Sequence, residues 1–393
     1  MRIEVYSPTI RRKEMDAVLT AMVEDKIGPG EQSKILIQTA KEKLKFDYCL
    51  ALRSPAIALY LAIKSLNPEK GQGVLISALS PLYYQRVIED LGLVAVYCDV
   101  LSSACYVSYE TVKKAIESKP EGLNIRCIVL HHTLGYLSDG SAIAELNIPI
   151  IEDCSQSYGT CIKAGSDERV SGENEDPAYQ VKAQAESAIP AGSFGVYTIL
   201  GLEERDMLTS GGGALLYSAS RKNPHQGEAA DLRSLGDLPP EYGLPDMNAA
   251  MAVVQFRESA KNLLKRREIA RLYTQSAMRI RHKSFVQYDV MNQKESGKLF
   301  IEDGPEMLPV EYNNYAFPLI LESGLKDVRA YARRKDIIVE NAFENTLIGG
   351  GLVTPEQCPE AYSLSLRTVL FPLYPRLGTG DAVKISKLIL TLP

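Results

Sequence analysis

The sequence predicts an α/β protein in which a large domain with a mostly parallel central sheet precedes a smaller C-terminal α+β domain. Two observations lead to this prediction. Short apolar runs alternate with helical patterns in the first part of the chain, and a long helical pattern later precedes a region with its own strand and helices. Alternation of this kind is typical of a parallel sheet whose strands are joined by crossover helices.

Four short apolar runs predict the strands of the large domain. They occupy residues 73–76, 94–97, 125–130 and 148–151. Continuous apolar runs of this length indicate strands that are covered on both faces. Helical patterns lie between or before them, at residues 56–66, 81–91 and 109–118. These helices are predicted to make the crossovers.

The remaining patterns divide the chain. A helical pattern at residues 246–277 closes the large domain, which we place at residues 1–255, and leads into a small domain at 256–393. The small domain contains a predicted strand at 315–321 and predicted helices at 324–334 and 380–390. A polar, irregular run at about 165–190 predicts a long loop, which is either a solvated face or a lid over a pocket.

Composition excludes several classes of protein. The net charge is −5 and the basic residues are scattered, whereas a nucleic-acid-binding protein needs a basic patch. No apolar run is long enough to span a membrane, and we expect a cytoplasmic protein. The seven cysteines stand singly, without the spacing of metal ligands. We therefore expect buried, reduced thiols and no metal site.

Six motifs occur in a fixed order over about 350 residues: Gly28–Glu31, Leu52–Leu59, Asp99 after its strand, Ile151–Gly159, Tyr242–Ala252, and Cys358–Ala361 with Leu370–Leu377. Together they resemble the sugar-nucleotide aminotransferase family. This is the DegT-like branch of the fold-type-I enzymes that use pyridoxal phosphate (PLP). The resemblance implies the fold-type-I PLP transferase fold and a role in nucleotide-sugar or polysaccharide metabolism.

The resemblance assigns residues to the pyridine ring of PLP. Asp153 matches the Asp that pairs with the pyridine nitrogen, and Gln156 matches the Gln that contacts the phenolic oxygen. The aromatic residue that stacks on the ring falls near Pro81, with Tyr83 and Tyr84 as candidates. An Asp at the end of a strand is also a common turn or cap residue, and that alternative stays open.

The positions that the resemblance assigns to the phosphate depart from the family. A Gly-Thr pair at a helix N-terminus is replaced by Pro55 and Ala56, which lack one N–H and the hydroxyl. Thr198 stands where the family has a phosphate-binding Ser, and Glu241 stands near a family Asn, where a carboxylate would repel the phosphate. Ala56 and Thr198 are thus the predicted phosphate contacts, in a weakened site.

The lysine that forms the Schiff base with PLP is missing. No lysine occurs between Lys182 and Lys222, and the lysine position falls on Glu203, Glu204 or Arg205. Carboxylates form no imine, and Arg stays protonated at any working pH. We therefore assign no catalytic residue. The pair His131-His132, which follows a predicted strand, lies either near the pocket or in the core as structural histidines.

Two hypotheses follow. In the first, the chain is a noncatalytic member of the family that binds a nucleotide sugar or completes the interface of an active paralogue. In the second, it is an enzyme that holds PLP or pyridoxamine phosphate (PMP) noncovalently through Asp153 and Gln156. The resemblance also implies a homodimer, because family members share active sites between subunits.

Overall fold

A seven-stranded sheet forms the centre of the molecule. The computed structural model describes residues 2–102, 104–162, 188–219, 231–285, 310–322 and 324–393. The strands in these ranges are β1 Phe46–Leu52, β2 Gly73–Ser77, β3 Val94–Cys98, β4 Ile125–His131, β5 Ile150–Asp153, β6 Cys161–Ile162, β7 Ile189–Pro190, β8 Tyr197–Gly201, β9 Ala214–Ala219, β10 Val310–Glu311, β11 Phe317–Ile320, β12 Glu340–Asn341 and β13 Thr368–Phe371.

The central sheet has the strand order β1-β9-β8-β5-β4-β2-β3. Neighbouring strands are parallel except at β9, which runs antiparallel to both β1 and β8. The α-helices are α1 Arg12–Val23, α2 Glu31–Leu44, α3 Pro55–Ser65, α4 Tyr83–Asp90, α5 Tyr109–Glu117, α6 Gly140–Ala144, α7 Asp246–Ala277, α8 Leu325–Arg333, α9 Pro359–Arg367 and α10 Thr379–Leu390. The predicted α/β fold with a mostly parallel sheet is confirmed.

The predicted apolar runs form strands of the central sheet, and the central ones are buried on both faces. Every residue of β2 and β5 is buried, as expected for strands covered by helices on both faces. The prediction for β5 was shifted: the strand starts at Ile150 and continues through Glu152 to Asp153. The apolar run ends at Ile151, and the two buried carboxylates that follow it also belong to the strand.

A second sheet, β11-β13-β12, belongs to the C-terminal part of the chain. Helices α8 and α10 contribute to its apolar core, in which Val328 and Ile385 are fully buried. Arg266 of α7 joins this part to the long helix, because its Nη1 donates to the backbone oxygens of Tyr315 (2.8 Å) and Leu373 (3.0 Å). The predicted division at residues 255 and 256 lies within α7 and stays a prediction.

Two aspartates from the family motifs cap helices that are remote in sequence. Asp246 accepts hydrogen bonds from the backbone N–H groups of Gln32 and Ser33 (both 3.0 Å), at the start of α2. Asp99 accepts from the N–H groups of Glu360 and Ala361 (3.0 and 2.8 Å), at the start of α9. A carboxylate at a helix N-terminus satisfies free N–H groups and complements the helix dipole. These motif positions therefore stabilise the fold.

The cysteines are reduced, and six of the seven are buried. Burial raises the pKa of the Cys127 thiol to about 12, so this thiol stays neutral. Among the described residues, no helix has the length and apolar character needed to cross a membrane. The predicted loop at 165–190 falls outside the described residues up to position 187.

Candidate functional site

A cleft with a volume of about 460 Å³ lies at the carboxyl ends of the parallel strands. In open α/β sheets this edge is the usual place for ligands. The part of the chain before α7 contributes Leu79, Pro81, His131, Thr133, Leu134, Gln156, Arg205 and Asp206, and the C-terminal part contributes Tyr315, Leu370 and residues 340–346. Each of the first group ends or follows β2, β4, β5 or β8, so the parallel sheet brings them together.

Asp153 lies at the end of β5, next to this cleft, and is 1% exposed. Its Oδ1 accepts hydrogen bonds from the hydroxyl and the backbone N–H of Ser155 (2.5 and 2.9 Å). Its Oδ2 accepts from the hydroxyl of Tyr84 at 2.5 Å and from that of Tyr83 at 3.4 Å. Both oxygens are thus engaged by the protein itself.

These contacts decide the charge of Asp153. Burial by itself would raise the pKa of the carboxyl, but the nearby His131 and the hydrogen bonds from Ser155 and Tyr84 outweigh it and lower the pKa to about 2. His131 Nδ1 lies 3.6 Å from Asp153 Oδ2, too far for a hydrogen bond, so it acts through charge when protonated. Asp153 is therefore a buried carboxylate that stays ionised at neutral pH.

Tyr83 and Tyr84, named from the sequence as candidates to stack on the ring, instead bind the carboxylate through their hydroxyls. Tyr84 is fully buried. Pro81, the position aligned with the stacking residue, lies at the cleft wall and pairs with the backbone of Thr346. The C-terminal segment therefore covers the loop that would carry a stacking aromatic.

Gln156 borders the cleft as expected from the sequence. Its Oε1 accepts a hydrogen bond from the backbone N–H of Leu134 at 2.6 Å. Leu134 has a left-handed backbone conformation, with φ of 55°, which is uncommon for a branched residue. The contact fixes the side-chain orientation of Gln156 at the cleft wall.

The two residues predicted for the phosphate are not brought to the cleft. Ala56 is the second residue of α3, where the Ser54 hydroxyl already accepts a hydrogen bond from the Ile57 N–H at 3.3 Å. Thr198 pairs with Glu152 across β5 and β8, whereas Asp153 pairs with Ile199. Because alternate residues of a strand point to opposite faces, Thr198 and Asp153 point to opposite sides of the sheet.

Thr198 also has its own partner. Its buried hydroxyl donates to the backbone oxygen of Gly192 at 3.1 Å. Glu241 is exposed, and its backbone oxygen accepts from Arg53 Nε at 2.9 Å. Neither residue lines the cleft. The assignment of Thr198 to the phosphate and the repulsion expected from Glu241 stay predictions that no contact in the described part of the chain supports.

The loop after β8 contains Glu203, Glu204 and Arg205, on which the sequence analysis placed the lysine position, and that placement stays a prediction. Glu204 is exposed, Glu203 is half-buried, and Arg205 forms an ion pair with Glu340 (2.8 Å) at the cleft rim. No lysine is among the cleft-lining residues of the described ranges. The next residue, Asp206, lies in the cleft wall, with its Oδ2 accepting from the Glu203 N–H at 2.8 Å.

Asp206 is a site residue that the sequence analysis missed. It is only partly exposed, and burial raises the pKa of its carboxyl to about 7, with the negative charges of Asp153 and Glu203 adding to the effect. A carboxyl whose pKa lies near neutrality, in a cleft, is a functional candidate. An Asp two residues after the pair Glu203-Glu204 carried no signal in one sequence.

The two histidines have different surroundings. His131 lines the cleft, and its buried Nδ1 has no hydrogen-bond partner among the described residues. His132 points away and contacts Glu152, with its Nε2 2.9 Å from Oε1. The histidine pair thus divides between the two roles that the sequence left open: His131 is near the pocket and His132 is structural.

Glu152 was also missed, and it organises the segment before β8. Its Oε2 accepts hydrogen bonds from the backbone N–H groups of Phe194 and Gly195, both at 2.6 Å, and its Oε1 accepts from Gly192 at 3.2 Å. A fully buried carboxylate with this many donors is satisfied without a metal. In the buried group His132, Glu152 and Cys154, the Glu152 carboxylate is therefore paired by hydrogen bonds within the protein.

These contacts test whether the residues fit PLP. Asp153 ends β5 and Gln156 follows it by three residues in the cleft wall, so both lie at the same edge of the sheet, as such a site requires. However, the Tyr84 hydroxyl occupies the Asp153 oxygen, the start of α3 has lost one N–H at Pro55, and the cleft contains no lysine in the described ranges. As arranged here, the residues do not fit the cofactor.

Comparison with known proteins shows which family the first part of the chain resembles. Residues 8–195 match the model of the DegT/DnrJ/EryC1/StrS aminotransferase family. A GDP-perosamine synthase of Vibrio cholerae is 23% identical over 244 residues, which cover 59% of each chain. The chain thus matches about three fifths of that relative's length.

Two solved structures share the fold over nearly the whole chain. The aminotransferase TlmJ from Streptoalloteichus hindustanus has a TM-score of 0.77 at 17% identity and covers 99% of this chain and 98% of its own. The PLP form of the sugar aminotransferase Spr1654 from Streptococcus pneumoniae, described as putative, has a TM-score of 0.77 at 16% identity, covering 100% and 98%. Over residues 8–195 the chain is similar in sequence to the DegT/DnrJ/EryC1/StrS aminotransferase family, and over nearly its whole length it shares the fold of these solved structures.

Proposed function

We propose that this protein binds a nucleotide sugar, or a closely related small molecule, in the cleft and does not carry out lysine-dependent transamination. Related proteins named GDP-perosamine synthase and dTDP-4-dehydro-2,3,6-trideoxy-D-glucose 4-aminotransferase act on sugars linked to nucleotides. The cleft volume of about 460 Å³ falls in the range of small-molecule sites. The protein is then a sugar-nucleotide-binding member of the family, or the partner subunit of an active paralogue.

One observation carries this proposal. The carboxylate that a PLP enzyme needs for the pyridine nitrogen is engaged by two tyrosine hydroxyls, in a chain whose lysine position falls on Glu203, Glu204 or Arg205. Loss of the lysine alone would still allow the cofactor to bind noncovalently. When the lysine is absent and Asp153 is already hydrogen-bonded to tyrosine hydroxyls, the pyridine ring of PLP has neither its covalent attachment nor its main noncovalent contact.

The alternative is an enzyme that holds PLP or PMP noncovalently. The adjacency of Asp153 and Gln156 at one edge of the sheet favours it. For this alternative, the Tyr84 hydroxyl would have to leave Asp153, because the same oxygen would face the pyridine nitrogen.

Titration separates the two functions. The purified protein is titrated with PLP and PMP while absorbance between roughly 320 and 430 nm and thermal stability are recorded, and then with GDP-, dTDP- and UDP-linked sugars. We expect the sugars to raise the melting temperature and neither cofactor form to bind saturably. Saturable cofactor binding that Asp153→Ala abolishes would support the enzyme instead. If none of the nucleotide-linked sugars raises the melting temperature, the binding proposal is refuted.

We further propose that two copies of the chain associate. An apolar stripe runs along α1 and the turn after it, formed by Met15, Leu19, Met22, Val23 and Ile27, each more than half exposed. Positions 15, 19, 22 and 23 lie on one face of the helix. Exposed apolar surface of this continuity is typical of an interface.

A further inference from the structure

One wall of the cleft is fixed to the core of the molecule by the segment 343–348, here called the strap. The backbone N–H groups of Leu347 and Ile348 donate to the oxygens of Ser80 and Ala78, both at 3.0 Å, in the turn after β2. The side chains of Leu347 and Ile348 are buried in the same apolar core as residues of β2. Separating the strap from this turn would expose both side chains and break both hydrogen bonds, so the strap holds this wall in place.

The opposite wall contains a short loop after β8, residues 203–206, here called the flap. Backbone hydrogen bonds anchor its two ends, from the Leu202 N–H to the Gly213 oxygen (2.8 Å) and from the Met207 N–H to the Ser155 oxygen (3.1 Å). Each of the four flap residues is at least partly exposed. The flap can therefore move without uncovering the apolar core.

One ion pair in the described part of the chain links the flap to the fixed wall. Arg205 Nη1 lies 2.8 Å from Glu340 Oε2, and Nη2 lies 3.4 Å from Oε1. The guanidinium also lies over the ring of Tyr6, 5.9 Å from its centroid. The side chains of Arg205 and Glu340 are 53% and 30% exposed. Water solvates both charges when such a pair separates, so breaking it costs little free energy.

Carboxylates outnumber cations around the flap. The charged side chains of the flap and of the described cleft wall are the acidic Glu203, Glu204, Asp206, Glu340 and Glu344 and the basic Arg205 and His131. His131 Nδ1 faces the buried Asp153 carboxylate, 3.6 Å away. Arg205 is therefore the cation that offsets the repulsion between the carboxylates of the flap and those of the wall.

We infer that the flap opens the cleft toward solvent, and that the ion pair of Arg205 with Glu340 is the latch that holds it closed. The strap fixes the wall that follows Glu340, so the flap is the element that moves. When the ion pair separates, the carboxylates of flap and wall repel each other, and this repulsion favours the open state. The inference rests on the proposed function for the identity of the molecule that enters, whereas the opening itself is a property of the free protein.

Thiol labelling of the full-length protein measures the opening. Thr133 lines the cleft and is 3% exposed, so a thiol introduced by Thr133→Cys reacts with N-ethylmaleimide when the cleft is open. The reagent is neutral, and mass spectrometry measures its addition at position 133 alone. We expect Glu340→Gln to raise the labelling rate about threefold at low salt. About 0.5 M NaCl should raise the rate in the Thr133→Cys protein but not in its Glu340→Gln variant, because salt screens an exposed ion pair.

Glu311→Gln is the matched control, because Glu311 forms an ion pair of similar exposure with Arg267 and does not line the cleft. This variant should leave the labelling rate unchanged. Hydrogen exchange of the proteins without the introduced thiol identifies the moving element. In Glu340→Gln the amides of the flap should exchange faster, while those of Leu347 and Ile348 should not.

An unchanged labelling rate in Glu340→Gln, an equal rise in Glu311→Gln, or faster exchange of the strap amides would each overturn the inference. These measurements need no nucleotide sugar. If the flap opens as expected but no nucleotide-linked sugar raises the melting temperature, the proposed function fails and the latch stands.

Discussion

Replacement of Asp206 by Asn should stabilise the protein, and more so as the pH rises. In the folded protein burial raises the pKa of Asp206 from 3.8 to about 7, while the unfolded chain keeps the ordinary value. The folded state therefore binds a proton that the unfolded state has lost, and the contribution of Asp206 to wild-type stability falls as the pH rises from about 4 to 7. Asn is neutral at all of these pH values, so the variant does not lose this stability as the pH rises.

The size of the effect follows from the same shift. At 1.36 kcal/mol for each pKa unit, a rise to about 7 corresponds to at most about 4 kcal/mol above neutrality. Asp206 is partly exposed, and solvent screening reduces this figure, so we expect about 1 to 2 kcal/mol. The assay is urea unfolding of both proteins at intervals from pH 5 to pH 8.5.

The comparison cancels the other titrating groups. His282 and the remaining carboxyls are common to both proteins, so the difference in unfolding free energy isolates position 206. Asp237→Asn, an exposed substitution of the same kind, should show no pH-dependent difference. A difference that stays constant with pH, or a variant that loses stability as the pH rises, would refute the reasoning.

Three further predictions concern other contacts. Glu152→Gln should destabilise the protein by at least about 3 kcal/mol in urea unfolding, because the carboxylate holds three N–H groups and His132; a loss under 1 kcal/mol would contradict this. Tyr84→Phe should lower the free energy of unfolding by about 1.5 to 3 kcal/mol at pH 7, and this loss should shrink as the pH falls toward 2, where Asp153 becomes protonated. A loss of unfolding free energy that does not change with pH would argue against an ionised partner. Leu19→Glu should convert a dimer to a monomer in analytical ultracentrifugation without changing the circular dichroism spectrum, and an unchanged sedimentation coefficient would exclude α1 from the interface.

For Asp153, the position could be predicted from the sequence but the hydrogen-bond partner could not. Its place at the end of a buried strand was predictable, because apolar runs such as that of β5 are visible in one sequence. The hydroxyl that caps it comes from Tyr84, 69 positions earlier. Contacts at this separation depend on how β2 and β5 are placed in the sheet, and no local pattern encodes them.

Thr198 illustrates a different limit. The residue type suits a phosphate site, but a strand places successive side chains on opposite faces, so the register of β5 against β8 decides whether a hydroxyl faces the cleft. Register depends on pairing with neighbours rather than on the strand itself. Asp206 was missed for another reason. It lies in a loop, and the hydrogen bond from the Glu203 N–H to its Oδ2 helps to hold its side chain in the cleft wall.

The sequence by itself determined the α/β fold class, the resemblance to aminotransferases and the absence of a lysine between Lys182 and Lys222. Periodicity and residue identity are local properties, and they can be read without coordinates. Only the tertiary structure decided that Tyr84 engages Asp153, that His131 lines the cleft while His132 contacts Glu152, and that Asp206 lies in the cleft wall. Burial and pairing depend on packing between distant segments, and they set both the charge and the accessibility of each group.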